Sequence, residues 1–266
     1  MNTKPSYSIT TPSEKHLDGL QTLWAEAFGD TKHFIQLFFD IAYSPNRCLT
    51  SVLGDCVVGA LYWFDCEYQG KKLAYLYAVA TAKQYRGMGI CHSLMTACHN
   101  HLSDCGYAGV LLVPGNEDLY SFYRGLGYET CSYIREFSCV AEKDEIRLRS
   151  ITKEEYAKLR CKFLPENGVI QEGENLDFLQ TYARFYVGSN YEGEDASFLL
   201  AAYQEGNTLH GVELLGHPTE ASHIVHALGY SKGIFRTPGD DLPFAMYHSL
   251  DDVPVDLPIY FGFAFD

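Results

Sequence analysis

Long apolar runs are missing from this sequence. No stretch approaches the roughly 20 consecutive apolar residues that an α-helix needs to cross a bilayer, and the opening MNTKPSYSITTPSEKH contains no apolar core of the kind a secretory signal carries. Paired cysteines are missing too. The nine cysteines are odd in number and include no C-x-x-C pair, which argues against a disulfide framework and for reduced, mostly buried thiols. A cytoplasmic location is the expectation. Charged residues are sparse at 20% against 47% hydrophobic, the balance of a chain that buries a core rather than a disordered one. Positive charge is the scarcest resource, and the formal net charge is −14. Residues 1–140 hold 10 Lys and Arg against 13 Asp and Glu, a net of −3, whereas residues 141–266 hold 10 against 21, a net of −11. Nucleic acid and anionic lipid are therefore poor partners. The acidity suits a cationic amine or a basic peptide, or serves solubility alone.

At 266 residues the chain has room for two modest domains. SEKHLDGLQTLWAEAFG places Leu17, Leu20, Leu23, Trp24, Ala27 and Phe28 at helical spacing, with Ser13 as a candidate cap and Gly29 as a stop. TKHFIQLFFDIAYS predicts a second helix that ends before Pro45. RCLTSVL, CVVGALYWFDCEY and KLAYLYAVA predict three strands, the first two joined at Gly54-Asp55. GICHSLMTACHNHLSDCG has a helical face, and YAGVLLVP is a strand; strand, helix, strand forces a parallel pair with a right-handed crossover. The expected fold is α/β (α+β), a mixed, mostly antiparallel sheet flanked by helices. NEDLYSFYRGLG and YETCSYIREFSCV close this half near residue 140, and AEKDEIRLRS looks like a connector. Beyond it, ITKEEYAKLRCKFL and ENLDFLQTYARFYVG predict helices, ASFLLAAYQEGNTLHGVELLG a hairpin and TEASHIVHALG a helix. Residues 141–266 thus echo residues 1–140 as a degenerate copy, or form an unrelated α+β domain.

Between the third strand and its helix lies QYRGMG. A loop entering a helix N-terminus offers unpaired N–H groups and partial positive charge, and Gly87 and Gly89 let the backbone approach an anion closely. A phosphate cradle and a plain turn are both open at this point. A P-loop would need Lys and Ser or Thr after the second glycine, and a dinucleotide fingerprint would need a third glycine where His92 stands. Neither fits.

Gln84-x-x-Gly87-x-Gly89, in this order of elements, resembles the acetyl-coenzyme A loop of the GNAT superfamily of N-acetyltransferases. NEDLYSFYRGLGYE resembles the family's next motif, an Asn opening a short helix followed by Tyr123, Gly127 and Tyr128. The likeness covers about residues 6–140. It implies that acetyl-CoA is the co-substrate, that Tyr77, Ala78 and Val79 offer backbone groups to the pantetheine arm, and that Gln84, Tyr85, Arg86, Gly87, Met88, Gly89 and Ile90 form the pyrophosphate loop. Asn116 would lie near the thioester. Tyr123 would lie close to the sulfur and act as the acid; alternatively it packs the helix, and Tyr120 rivals it for either role.

The same resemblance implies N-acetyl transfer to a primary amine of a small molecule or peptide by direct attack. The base is open. The family's strand carboxylate is absent from KLAYLYAVA, which leaves Glu26, Glu67 and the terminal Asp266, the last because Eis-type relatives use a C-terminal carboxylate. PIYFGFAFD is otherwise a strand finishing the second domain. Cys91, Cys98 and Cys105 with His92 and His99 mark core packing rather than a metal stripe, and no metal is expected. His217, His223 and His226 near Glu220 are taken as ordinary helix or cleft residues. The alternative function is an acyl-CoA-binding scaffold with little turnover. Monomer and dimer are both open.

Overall fold

A computed structural model describes residues 7–189, 196–251 and 256–265. Two compact units account for the chain: Met1–Cys66, Gly70–Glu129 and Tyr247–Val255 make the first, and Glu67–Gln69, Thr130–Met246 and Asp256–Asp266 make the second. A single cut at residue 140 therefore does not describe the molecule. Residues 130–140 belong with the later chain, and a short segment of the later chain belongs with the first unit.

In the first unit β1 (Ser8–Thr10) precedes α1 (Leu17–Phe28) and α2 (Lys32–Ile41). α1 buries Leu20, Leu23 and Trp24 and ends at Gly29, whose φ of 76° suits a left-handed stop. α2 begins at Thr31, whose Oγ1 accepts the Phe34 N–H at 3.2 Å. β2 (Cys48–Leu53), β3 (Cys56–Tyr68) and β4 (Lys71–Thr81) form the meander, α3 (Ile90–Asp104) crosses over, and β5 (Gly109–Leu112) runs parallel to β4. α4 (Glu117–Arg124) and β6 (Glu129–Thr130) follow.

The second unit begins with β7 (Tyr133–Val140) and β8 (Arg147–Ile151), then α5 (Lys153–Phe163), α6 (Glu174–Leu179), β9 (Arg184–Ser189), β10 (Phe198–Glu205) and β11 (Thr208–Gly216). α7 (Ala221–Ala227), β12 (Lys232–Pro238) and β13 (Leu242–Pro243) complete it, and β14 (Met246–Ser249) returns to the first sheet. Two expectations fail here. RFYVG, placed on a helix by its periodicity, lies in a strand, because Phe185, Tyr186 and Val187 pair with both β10 and β8. The connector AEKDEIRLRS holds part of β8.

Among the described residues both sheets have seven strands, ordered β1-β2-β3-β4-β5-β14-β6 and β8-β9-β10-β11-β12-β7-β13. The first five positions match in kind: an edge strand, an antiparallel meander, then a parallel partner reached through a helix. The sixth position is exchanged in chain origin. Beside β5 stands β14, from late in the chain, and beside β12 stands β7, from before the second unit's own helices. Gly109 is needed where β14 docks, since a Cβ there would come within 2.3 Å of the Tyr247 ring.

The C-terminal residues Tyr260, Phe261, Phe263, Ala264 and Phe265 are buried but form no ladder of either sheet; only an isolated bridge joins Tyr260 to Gly168. They pack as an inserted segment, not as a finishing strand. The Gln171 side chain accepts the N–H groups of Gly262 and Phe263 and donates to the Phe263 carbonyl at 3.0 Å. Beside it, Glu213 is fully buried and accepts from Arg160 Nε and Nη2 at 2.8 and 2.9 Å and from the Tyr156 and Tyr260 hydroxyls at 2.6 and 2.9 Å. No helix of the described residues is long and apolar enough to cross a membrane. Removing one partner of a buried ion pair strands the other charge, so Glu213→Gln is expected to cost about 3–5 kcal/mol in urea unfolding; a loss under about 1 kcal/mol would show that the network carries little of the second unit.

Candidate active site

β4 and β5 pair from Leu73↔Gly109 to Leu76↔Leu112, and there the ladder ends although β4 continues to Thr81. Two residues on, Ala78 has φ +49°. A non-glycine residue in this region costs on the order of 1–3 kcal/mol and is held by its surroundings. Ala78 and Val79, beyond the last β5 pair, are half-buried. Tyr77 places its ring 5.5 Å from Trp24 and 5.7 Å from Phe64 by centroid.

β4 leads into a short turn at Lys83–Tyr85 and then into the glycine loop. Gly87 and Gly89 have φ of 74° and 82°, and a Cβ added to either would meet no protein atom within 4 Å. The space beside them is open, and only backbone conformation demands glycine. Gly89 caps α3 with no side chain closing its end. Among the described residues no acceptor is recorded for the N–H groups of Gly87, Met88, Gly89 and Ile90. Tyr85 and Arg86, expected in the cradle, differ: their N–H groups are bonded to Ala82 O at 2.8 Å and Lys83 O at 3.4 Å. Arg86 instead closes the loop through Nε to Thr81 O at 3.1 Å. Gln84 is exposed in the turn.

Glu26 accepts the Lys83 N–H at 2.6 Å. An exposed helix carboxylate, named as a candidate base, thus braces the entry to the loop across 57 residues of sequence, a role no local pattern announces. Glu67 bonds through its backbone to Ile170 within the second unit. Asp266 lies outside the described residues.

Asn116 is exposed and caps α4, its Oδ1 accepting the Leu119 N–H at 3.2 Å. Tyr123 on the same helix is buried, its ring 5.2 Å from Phe122 and 5.7 Å from Tyr128. Burial, and then the nearby Cys91, push its phenol well above the ordinary value, so it stays protonated at neutral pH. Cys91 lies in the first turn of α3, its own thiol pushed up to about 11 by burial. Cys91 is thus among the groups that Tyr123 faces.

The corresponding turn of the second unit is built differently. Pro218 has no N–H to give, His217 N–H is bonded to Ser197 O at 3.2 Å, and the buried Glu220 carboxylate sits at the start of α7, 3.2 Å from His223 Nδ1. A carboxylate where an anion would dock repels it.

Parted parallel strands, a glycine loop with unbonded amides at the start of the crossover helix and a buried phenol on α4 suit an acyltransferase-type domain. Residues 8–131 match the family model described as an acetyltransferase (GNAT) domain. A comparison with curated proteins finds no match. Among solved structures, a GCN5-related N-acetyltransferase from Kribbella flavida is 17% identical with TM-score 0.68, covering 92% of this chain and 71% of its own. One from Anabaena variabilis is 13% identical with TM-score 0.73, covering 92% and 73%. Eis1 from Mycobacterium abscessus is 13% identical with TM-score 0.65, covering 92% and 74%. These likenesses establish a shared fold across both units.

Gly89→Val forces a β-branched residue into a left-handed conformation and is expected to weaken coenzyme A binding by at least about a hundredfold, whereas Glu26→Ala, losing one charge-assisted bond, should weaken it about tenfold. Calorimetric titration checks both; unchanged affinity in Gly89→Val would mean that the loop is only a turn.

Proposed function

We propose that the first unit is an N-acetyltransferase that moves an acetyl group from acetyl-CoA to a primary amine of a small molecule or peptide. One observation carries the reading: β4 leaves β5 at Leu76 and runs, through the kink at Ala78, into a loop whose Gly87–Ile90 amides have no recorded acceptor. Those amides suit the pyrophosphate, with Lys83 and Arg86 adding positive charge at the rim. The backbone at Ala78 and Val79 suits the pantetheine amides, pairing as an added strand would. The thioester supplies an activated acyl group, and its carbonyl would lie where the strands part.

Direct attack needs a neutral amine, a fixed thioester and a proton for the departing thiolate. Tyr123 has the attributes of that proton donor: a protonated phenol in a dry setting, facing Cys91 of α3. Because its pKa is raised, loss of its proton does not limit turnover between about pH 6 and 9. Asn116, through its side-chain amide, suits the thioester end. The acidic balance of the chain favours a cationic acceptor.

A second reading, an acyl-CoA-binding module with little turnover, has two observations in its favour. Glu26 is committed to the Lys83 N–H, and β4 itself carries no carboxylate. Thiol release from acetyl-CoA over a panel of polyamines, aminoglycosides, amino acids and peptides separates the two, since binding without release across the panel supports the module. With a productive amine, Tyr123→Phe is expected to lower kcat by roughly ten- to a thousandfold, the usual span of general acid catalysis; an unchanged kcat would remove Tyr123 from the chemistry.

A further inference from the structure

Tyr123 does not stand alone. Its ring meets the Tyr128 ring edge to face at 5.7 Å and 64°. The Tyr128 hydroxyl shares a hydrogen bond of 2.7 Å with His99 Nε2 on α3. The His99 imidazole lies flat against that of His248 on β14, with centroids 4.3 Å apart and planes at 19°. His248 Nδ1 donates to the Gly127 carbonyl at 2.9 Å, and so returns to the turn that carries Tyr128. The circuit closes on Tyr128 through His99, His248 and Gly127, and Tyr123 packs against it. Its tightness shows at Gly127, where φ is +85° and a Cβ would come within 3.1 Å of the His248 ring.

Each link is directional or stacked, and the four side chains are buried or half-buried. Rings at these separations attract beyond what area burial gives, and the hydrogen bonds add direction to the contact. Such a set limits rotation of its neighbour more than it strengthens the fold. The groups facing His99 and Tyr128 are Cys91 and Cys98 from α3, Tyr123 from α4 and His248 from β14. Burial and then His248 lower His99 to about 4, so it is neutral at physiological pH, while burial holds Tyr128 protonated. The bond between them is uncharged and persists through the working range.

We propose that Tyr128, His99 and His248 are positioning residues that hold the Tyr123 phenol in place for acetyl transfer, with His248 delivered by the strand that the later chain lends to the first unit. The inference rests on the reading of Tyr123 as the proton donor. It also gives β14 a part in catalysis, beyond covering the edge of β5.

Steady-state kinetics of the full chain tests it. Tyr128→Phe keeps the ring and deletes only the hydroxyl; it is expected to lower kcat about three- to thirtyfold, a fraction of what a ~1 Å misplacement costs, with the acetyl-CoA KM within about twofold of the parent. His248→Phe keeps the stack, deletes the bond to Gly127 and should move kcat in the same direction by less. In a Tyr123→Phe background, Tyr128→Phe should have no further effect, because it acts through the group already removed. Unchanged kcat in both single variants, or full additivity with Tyr123→Phe, overturns the positioning role. Equal loss of kcat and of acetyl-CoA affinity also overturns it, showing a general disturbance. If the parent releases no thiol with any amine, the transferase reading itself falls. If the parent turns over and Tyr128→Phe matches it, only the positioning falls.

Discussion

The parting of two parallel strands organises the first unit. β4 and β5 share a ladder only from Leu73 to Leu76, where β5 ends at Leu112, and two residues further along β4 Ala78 has φ +49°. A parallel sheet normally satisfies every central backbone group from both sides. Here one edge is opened at depth, and the open edge leads straight to a helix N-terminus whose amides are also without recorded acceptors. The two unsatisfied features adjoin. In the proposed reading one long ligand, with an amide-bearing arm and an anionic end, would meet both.

What holds this opening comes from far along the chain. Glu26 fixes the entry to the loop from α1. β14 lies against β5 with Tyr247 over Gly109 and brings His248 against His99. The second unit uses the same order of strands, and its sixth position is taken by β7 from the earlier chain. Each sheet therefore depends on a strand supplied from outside its own run of helices, and neither half of the sequence carries its whole sheet. The second unit has kept the architecture without the cradle, since Pro218 and the Glu220 carboxylate stand where free amides would be.

Local pattern made the first unit legible. Helical periodicity, the strand runs and the two glycines gave its order of elements, and the glycine spacing located the loop. The cradle is narrower than that pattern suggested, because Tyr85 and Arg86 spend their N–H groups inside the turn. Three things were illegible for physical reasons. Ala78 carries no sign of a positive φ, since such a conformation is imposed by packing and not by residue type. Glu26 and His248 act across 57 and 121 residues of separation, beyond any periodicity. The strand Arg184–Ser189 was hidden because its apolar spacing also satisfies a helix, and only pairing on both sides decides between them.

The central claim is that one ligand spans the strand parting and the glycine loop of the first unit. Amide chemical shifts of the labelled full chain, followed during titration with acetyl-CoA, test it most directly. The account predicts that the largest changes fall on Ala78, Val79 and Gly87–Ile90, with the 216–221 turn of the second unit unmoved. Changes centred on that second turn, or an absence of change at Gly87–Ile90 under saturating acetyl-CoA, would contradict it.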